Sequence, residues 1–544
     1  MCPEGYVEAH GAATVRRLLS LYVRGFVVYL LGVGLLWALG IEALYQHPTP
    51  FYALYQPAFP SIAVPAAALT VFLGIWFLGC RSLVPVDRAP RLRVLLGAGC
   101  LVLILAAGYG FSRAVQTSGR GWAEELAEHW LFLRWHLLVG IVMAVFLRCW
   151  VHALRSLDWF GDPLSRRDLL KFLGAVYVFL VAFSLVTAMI RSGTAGIVTA
   201  YERQTYEYIG DIGRGRSIRG LFRDYVKMHP FLSMHAKVHP PGPIVLLWLL
   251  ADLGAGRDPL GLSVATVFFG SLAVFPLFAW VRDMLGVRPA LTAAMLYSLV
   301  PTIVLFTATS ADILFMPFTV TTLFLFWRAI HRRSPGYAAA AGLGYGMLSL
   351  LSFSLIGLGV FFALAGLWRL RDPAFRSSVV RTAFVMLAVF LAFHLLVRLW
   401  SGFDVIECFR VCRNQFFVDQ TNLDEWTPRY PAWTWKLLNP LCWLFFVGAP
   451  VSLLLFWRLA KPEPASRMLF LTFALTLLAL NFLYLARGES ERSAMYAIPF
   501  AVIPAAHKLD ELGKHTHSHG PLCVTFCFLA FQCWVIESWL FTYW

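Results

Sequence analysis

Charge is what this chain has least of. Only 14% of its 544 residues are Asp, Glu, Lys or Arg, and 30 acids face 45 basic residues. Water-soluble domains carry about 25% charged residues, so a solvated surface of ordinary density is excluded. No Walker lysine loop, dinucleotide glycine fingerprint or zinc-protease helix occurs, which removes support for ATP-driven transport and soluble-cofactor chemistry. The ten cysteines follow neither a disulfide framework nor a zinc-ribbon spacing. Cys80, Cys100, Cys149, Cys442, Cys523, Cys527 and Cys533 lie in or beside apolar runs and read as small packing residues. Cys408 and Cys412 share a polar segment, where pairing stays open. The arginine-led first apolar run is followed by no small-residue cleavage site, so it reads as a first span rather than a removed signal.

What is abundant is apolar: 59% of residues are hydrophobic and the mean hydropathy is +0.68. Runs of spanning length, about 20 residues, begin at roughly 26–45, 61–80, 94–112, 131–150 and 172–191. Further runs lie at roughly 261–281, 289–307, 313–328, 337–352, 354–367, 378–398, 436–457, 467–486, 493–507 and 520–540. The expected fold is therefore all-α and polytopic, with about 15 transmembrane helices. The net charge of +15 is scattered between the runs rather than gathered on one face. That favours basic cytoplasmic loops over a nucleic-acid partner.

The loops at 81–93 and 155–171 are basic, which puts them and the N-terminus in the cytoplasm. The fifth run then exits to the extracytoplasmic side, where 192–243 follows as a long polar loop expected to contain short helices. The apolar piece behind its closing prolines, PIVLLWLLADL, is too short to cross and reads as a surface-lying or partly inserted helix. Asp312, the segment 399–435 and the turn 486–492 fall on the same side. The KHTHSHG tract (514–520) falls on the cytoplasmic side, where a surface tract with incidental metal affinity is expected.

The polar loop carries the ionisable groups that chemistry would need. Glu202, Glu207 and Asp211 follow the span exit, and in a helix Glu207 and Asp211 would share a face. A carboxylate near the membrane surface is a better base because desolvation disfavours its charge. The competing reading is a solvated face pairing with Arg203, Arg214 and Arg216. In His239-Pro240-Pro241-Gly242 the prolines fix φ and remove two donors, so the chain re-enters extended, holding His239 and Lys237 in place. The competing reading is a plain helix start. For Asp312, capping of the following helix by it or Ser310 is the favoured reading. Arg487, Glu489, Glu491 and Arg492 crowd one turn between two spans, which suggests a site. Arg410, Arg413, Asn414, Arg429, Tyr430 and Lys436 complete the set, with arginine suited to gripping phosphate oxygens.

These residues resemble the class C membrane glycosyltransferases, specifically the protein O-mannosyltransferase and aminoarabinose transferase branches. The resemblance rests on Glu202-Arg203-Gln204-Thr205-Tyr206 after a span, Val238-His239-Pro240-Pro241-Gly242 at the loop's end, Pro301 to Asp312, and the Gly488-Glu489-x-x-Arg492 turn before Pro499. It covers roughly 172–507, leaving 1–171 as extra N-terminal helices and 508–544 as a histidine-containing loop and last helix. The family acid is commonly paired with a second acid, whereas Glu202 adjoins Arg203, so Asp211 or Glu207 stays open as the base.

The resemblance implies a transferase that moves a sugar from a polyprenyl-phosphate donor to an extracytoplasmic glycan, lipid or protein, with inversion. It implies a cell-envelope location, taken as a bacterial plasma membrane. Catalytic candidates are then Glu202, Asp211 and Glu207, and substrate or phosphate candidates are Lys237, His239, Asp312, Arg429, Glu489 and Arg492. A requirement for a divalent metal is left open. The competing functions are a polytopic transporter or lipid flippase and a non-catalytic member of the fold; no internal duplication of the transporter kind is visible.

Overall fold

A computed structural model describes residues 13–28, 138–146, 148–150, 165–190, 193–202, 206–426, 432–460, 464–482 and 490–539. Among these the regular structure is entirely helical. Six helices are long and apolar enough to cross a bilayer, or up to eight if each of two bent pairs is one span. The six are Arg166–Ala188, Pro259–Leu285, Ala311–His331, Phe353–Leu370, Pro373–Ser401 and Gly520–Glu537. The expected runs at roughly 61–80 and 94–112, and most of 26–45, lie outside the described residues. Other expected crossings are present as helices that are short or bent, including Arg467–Phe482.

Most starts are written locally. Ser165, Asp258, Ser334 and Asp372 each accept a backbone N–H two or three residues on, at 2.8–3.5 Å. Proline occupies the first helical position after Asp258, Ser334 and Asp372, where its missing donor costs nothing. The bends have equally specific causes. The expected run 289–307 turns by 52° between Val287–Tyr297 and Pro301–Thr309, because Pro301 restarts the helix. The expected run 436–457 breaks by 104° at Gly448, whose φ of 100° admits glycine with little strain. A break at that depth exposes backbone groups that hydrocarbon cannot satisfy. Gln532 closes it: its Oε1 accepts from the Ala449 N–H at 2.9 Å and its Nε2 donates to the Phe445 carbonyl at 2.9 Å.

The two ends of the bundle differ. At one end Asp283 pairs with Arg328 at 2.6 Å and Arg332 at 3.9 Å, Arg369 donates to His331, Arg458 meets Glu511, and Asp510 meets Lys514 and Arg288. The 21-residue helix Ala311–His331 leads from there over about 30 Å to the other end. That other end holds the polar connection after Ala188. As expected it contains short helices, at Ala195–Glu202, Ile218–Met228 and Met234–Val238 with 3-10 turns between them. The helix Gly242–Leu250 follows and is short, as its sequence required; a Cβ on Gly242 would sit 2.1 Å from the Leu350 carbonyl, so glycine permits the contact. The segment 399–435, expected as a loop, instead forms the helix Val405–Trp426. Its apolar Phe403, Cys408 and Cys412 are buried, which gives it a packed face.

If Gln532 is the group that closes the broken span, Gln532→Leu strands the buried Ala449 N–H, while the Phe445 carbonyl keeps the Gly448 N–H at 3.0 Å. We expect a loss of about 1–3 kcal/mol, read as a lower thermal midpoint in detergent, with Gln532→Glu recovering part of it.

Candidate active site

A carboxylate–arginine pair, a carboxylate–histidine pair and a second histidine lie where the apolar helices end. The Pro301–Thr309 helix stops at Ser310, whose hydroxyl accepts from the Asp312 N–H at 3.1 Å. Ser310 is therefore the cap. Asp312 is not: its Oδ2 lies 3.1 Å from Arg492 Nε, the two side chains being 17% and 10% exposed. The capping reading of Asp312 is corrected accordingly, because a partner far along the chain takes its carboxylate.

His239 has extended backbone, φ −121° and ψ 156°, as the following proline requires. Its ring meets Tyr208 edge-on at 5.8 Å and Phe315 at 6.5 Å. Part of the residue is accessible, but Nδ1 is sealed from solvent and lacks a hydrogen-bond partner. Burial pushes the imidazole down to about 4, against a smaller opposing pull from Asp312, so it is neutral at ordinary pH.

Glu207 pairs with His235 at 3.0 Å, its side chain only 6% exposed. Tyr208 packs against both His235 and His239. Burial raises the Tyr208 phenol; the carboxylates of Asp312 and Glu207 push it the same way and Arg492 opposes them. Ring contacts thus run from His235 through Tyr208 and His239 to Phe315, three residues from Asp312.

Asp211 takes a different course. The sequence suggested that it shares a helical face with Glu207, but a 3-10 turn, Tyr208–Asp211, separates them. Its carboxylate is fully buried; Oδ2 accepts the Ser233 N–H at 3.0 Å and Oδ1 lies 2.8 Å from Arg214 Nε. Burial raises its pKa, while the Ser233 hydrogen bonds and the charges of Arg214 and Lys237 counter the rise. The anticipated pairing with Arg214 is thus real. Asp211 braces the start of the Met234–Val238 helix rather than facing an open space.

The rest of that segment is held through its carbonyls. The Tyr225 hydroxyl is shared between Ala236 O at 2.9 Å and His239 O at 2.8 Å. His229 Nε2 donates to the Lys237 carbonyl at 2.8 Å. Cys412 Sγ reaches the His239 carbonyl at 3.5 Å. Cys408 and Cys412, one helical turn apart, are free buried thiols with their sulfurs 3.9 Å apart, so the pairing left open by the sequence is not formed. Tyr208, Tyr225, His229 and Cys412 were not singled out by the sequence as site residues, whereas His235 stood with Lys237 and His239 among the polar residues before the prolines. The aromatic positions on the amphipathic Ile218–Met228 helix were the one available signal.

Glu202 is exposed at the end of its helix, outside these pairs. Lys237 is half-buried. Arg429 and Glu489 lie outside the described residues. Among the described residues no group of three or more His, Cys, Asp or Glu side chains is arranged to hold a metal.

The described residues are thus all-helical, with several helices long and apolar enough to cross a membrane and an ionisable cluster at one end, and one stretch of the chain is similar to a family of membrane glycosyltransferases. Residues 238–400 match the family model of the dolichyl-phosphate-mannose-protein mannosyltransferases, in keeping with the class C resemblance drawn from sequence. No curated protein matches the chain. Among solved structures it is similar to the crystal structure of the Archaeoglobus fulgidus oligosaccharyltransferase complex with zinc and sulfate, at 18% identity and a TM-score of 0.37. That similarity covers 56% of this chain and 45% of the other, so the chain spans less than half of that protein's length.

The neutral state of His239 carries a pH signature. Its folded pKa lies below the ordinary 6.5, so between pH 6.5 and about 4 the unfolded chain binds a proton that the folded chain refuses. Stability should fall as pH drops through that window and level off below it. Melting wild type and His239→Gln across pH 7.5–3.5 checks this: the variant should lack that part of the decline, so the gap between the two must narrow towards pH 4.

Proposed function

We propose that the protein transfers a sugar from a polyprenyl-phosphate donor to a hydroxyl or amine of an extracytoplasmic glycan, lipid or protein, with inversion at the anomeric carbon. The observation that carries this reading is the convergence of Glu207–His235, His239 and Asp312–Arg492 at the ends of apolar helices, beside the matched segment 238–400. A donor whose lipid stays in the bilayer presents its phosphate at that depth. The cell envelope of a bacterium, at the outer face of its plasma membrane, is the location we favour. The arginines crowded at the opposite end, in short turns, support a cytoplasmic position for that end.

Of the three acids, Glu207 suits the base best. Asp211 has both oxygens engaged by Ser233 and Arg214, and Glu202 points into solvent outside the cluster. Glu207 takes the acceptor proton as the acceptor atom bonds to the anomeric carbon, and His235 beside it steadies the charge change. The bond from that carbon to the phosphate oxygen breaks with its electron pair leaving on phosphate. Arg492, aimed by Asp312, offers a charged donor to that oxygen, and Lys237 is a second cation for it. His239, being neutral, contributes a hydrogen bond rather than a charge. Arg429 and Glu489 remain proposed substrate residues on sequence grounds alone.

A transporter would use a broken helix to line a pathway. Among the described residues the two bent pairs, at Pro301 and at Gly448, are the features favouring that reading; Gln532 bridges the sharper of them, and no internal duplication relates the two. The enzyme reading is therefore the stronger.

Transfer of radiolabelled sugar from the lipid fraction, in membranes carrying single substitutions, tests the assignment. Glu207→Gln should lower the rate about 10²–10⁴-fold and Arg492→Ala about 10²–10³-fold. Glu202→Gln should stay near wild type. Full transfer by both Glu207→Gln and Arg492→Ala would sink the site.

A further inference from the structure

The Ile218–Met228 helix has two different faces. Leu221, Phe222 and Tyr225 are buried, Phe222 meeting Trp400 at 5.8 Å and Phe403 at 5.3 Å, while Tyr225 holds the His239 carbonyl. The opposite face carries Arg219, Arg223 and Lys227 four residues apart, one above the other, with Arg216 just before them; all four are exposed. Asp224 pairs with Arg223 at 2.7 Å, and Arg214 is drawn to Asp211. On the adjoining Val405–Trp426 helix Glu407 is taken by Arg410. Among the described residues Arg216 and Arg219 face outward with no carboxylate in an ion pair with them, and Lys227 is exposed one turn after Asp224, which Arg223 already holds.

Two neighbours say what lies against this face. Phe222 seats the helix on the end of the Pro373–Ser401 span, where Leu399 is 72% and Trp400 48% exposed, so the helix sits at the depth where hydrocarbon gives way to headgroups. Immediately after Lys227 the chain presents Phe231, 72% exposed, and Met234, 48% exposed. Cations followed by protruding apolar side chains at that depth fit a lipid surface better than a dissolved polyanion, which has no use for Phe231.

We propose that the outer face of the Ile218–Met228 helix binds the anionic phospholipid headgroups of the surrounding bilayer through Arg216, Arg219 and Lys227, with Phe231 and Met234 inserted among the chains. Because Tyr225 on the inner face of the same helix fastens the His239 carbonyl, occupancy of this surface steadies the His239 segment. The inference stands on the surface itself and does not depend on the chemistry proposed for the site.

The test uses the full chain in lipid nanodiscs and measures amide hydrogen exchange of residues 214–231, a readout separate from sugar transfer. In discs of phosphatidylcholine with a third phosphatidylglycerol, wild type should exchange about tenfold more slowly there than in phosphatidylcholine alone, and 0.5 M salt should reduce the difference. Arg216→Gln, Arg219→Gln and Lys227→Gln combined should abolish it, whereas lysine at 216 and arginine at 227 should keep it. These positions are exposed, so an unchanged thermal midpoint in phosphatidylcholine shows that the combined variant is folded. Equal exchange of wild type in both discs overturns the proposal. So does protection by a soluble polyanion such as heparin, in neutral discs, with none from phosphatidylglycerol.

Discussion

Hydrocarbon offers no hydrogen bonds, and everything else about this protein follows from that constraint. Each backbone group must be satisfied by its own helix or by a neighbour. Irregular chain is therefore confined to the bundle ends, or to places where a side chain repairs the ladder. Gly448 and Gln532 are the second case. At the sharp bend the Gln532 amide from another helix takes the Ala449 N–H and adds a donor to the Phe445 carbonyl, while the hydroxyls of Thr302 and Ser452 serve the carbonyls of Phe446 and Leu444.

At the polar end the constraint relaxes, and the chain uses the freedom to immobilise one short segment. Between Ser233 and His239 nearly every anchor attaches to main-chain atoms: Asp211 on the Ser233 N–H, His229 on the Lys237 carbonyl, Tyr225 on those of Ala236 and His239. Pro240 and Pro241 cannot donate, so stiffness there must come from such outside contacts. The side chains of His235 and His239 are thereby left to face Tyr208, with His235 also meeting Glu207. On the proposed function, this division suits a site that presents preorganised donors to a phosphate.

The sequence made the class legible more readily than the site. Low charge, long apolar runs and a basic excess in turns define a helical membrane protein before any contact is known. His-Pro-Pro-Gly marked its own importance, since two prolines dictate extended backbone wherever they occur. The acids were harder. Spacing gave Glu207 and Asp211 the same face, yet a 3-10 turn sends one to His235 and the other to Ser233. Asp312 read as a cap because Arg492, its partner, is remote in the chain. The segment after residue 399 read as a loop because its polar outer face masked the buried Phe403, Cys408 and Cys412.

By itself, then, the sequence determined the solvent, the secondary-structure class, most helix starts and the two-ended distribution of charge. These are properties of composition and of neighbours within a turn or two. Only the tertiary structure decided which acid is a brace, which is paired and which is exposed. Those roles depend on partners brought in from distant helices, and a carboxylate's chemistry is set by what surrounds it rather than by its place in the chain.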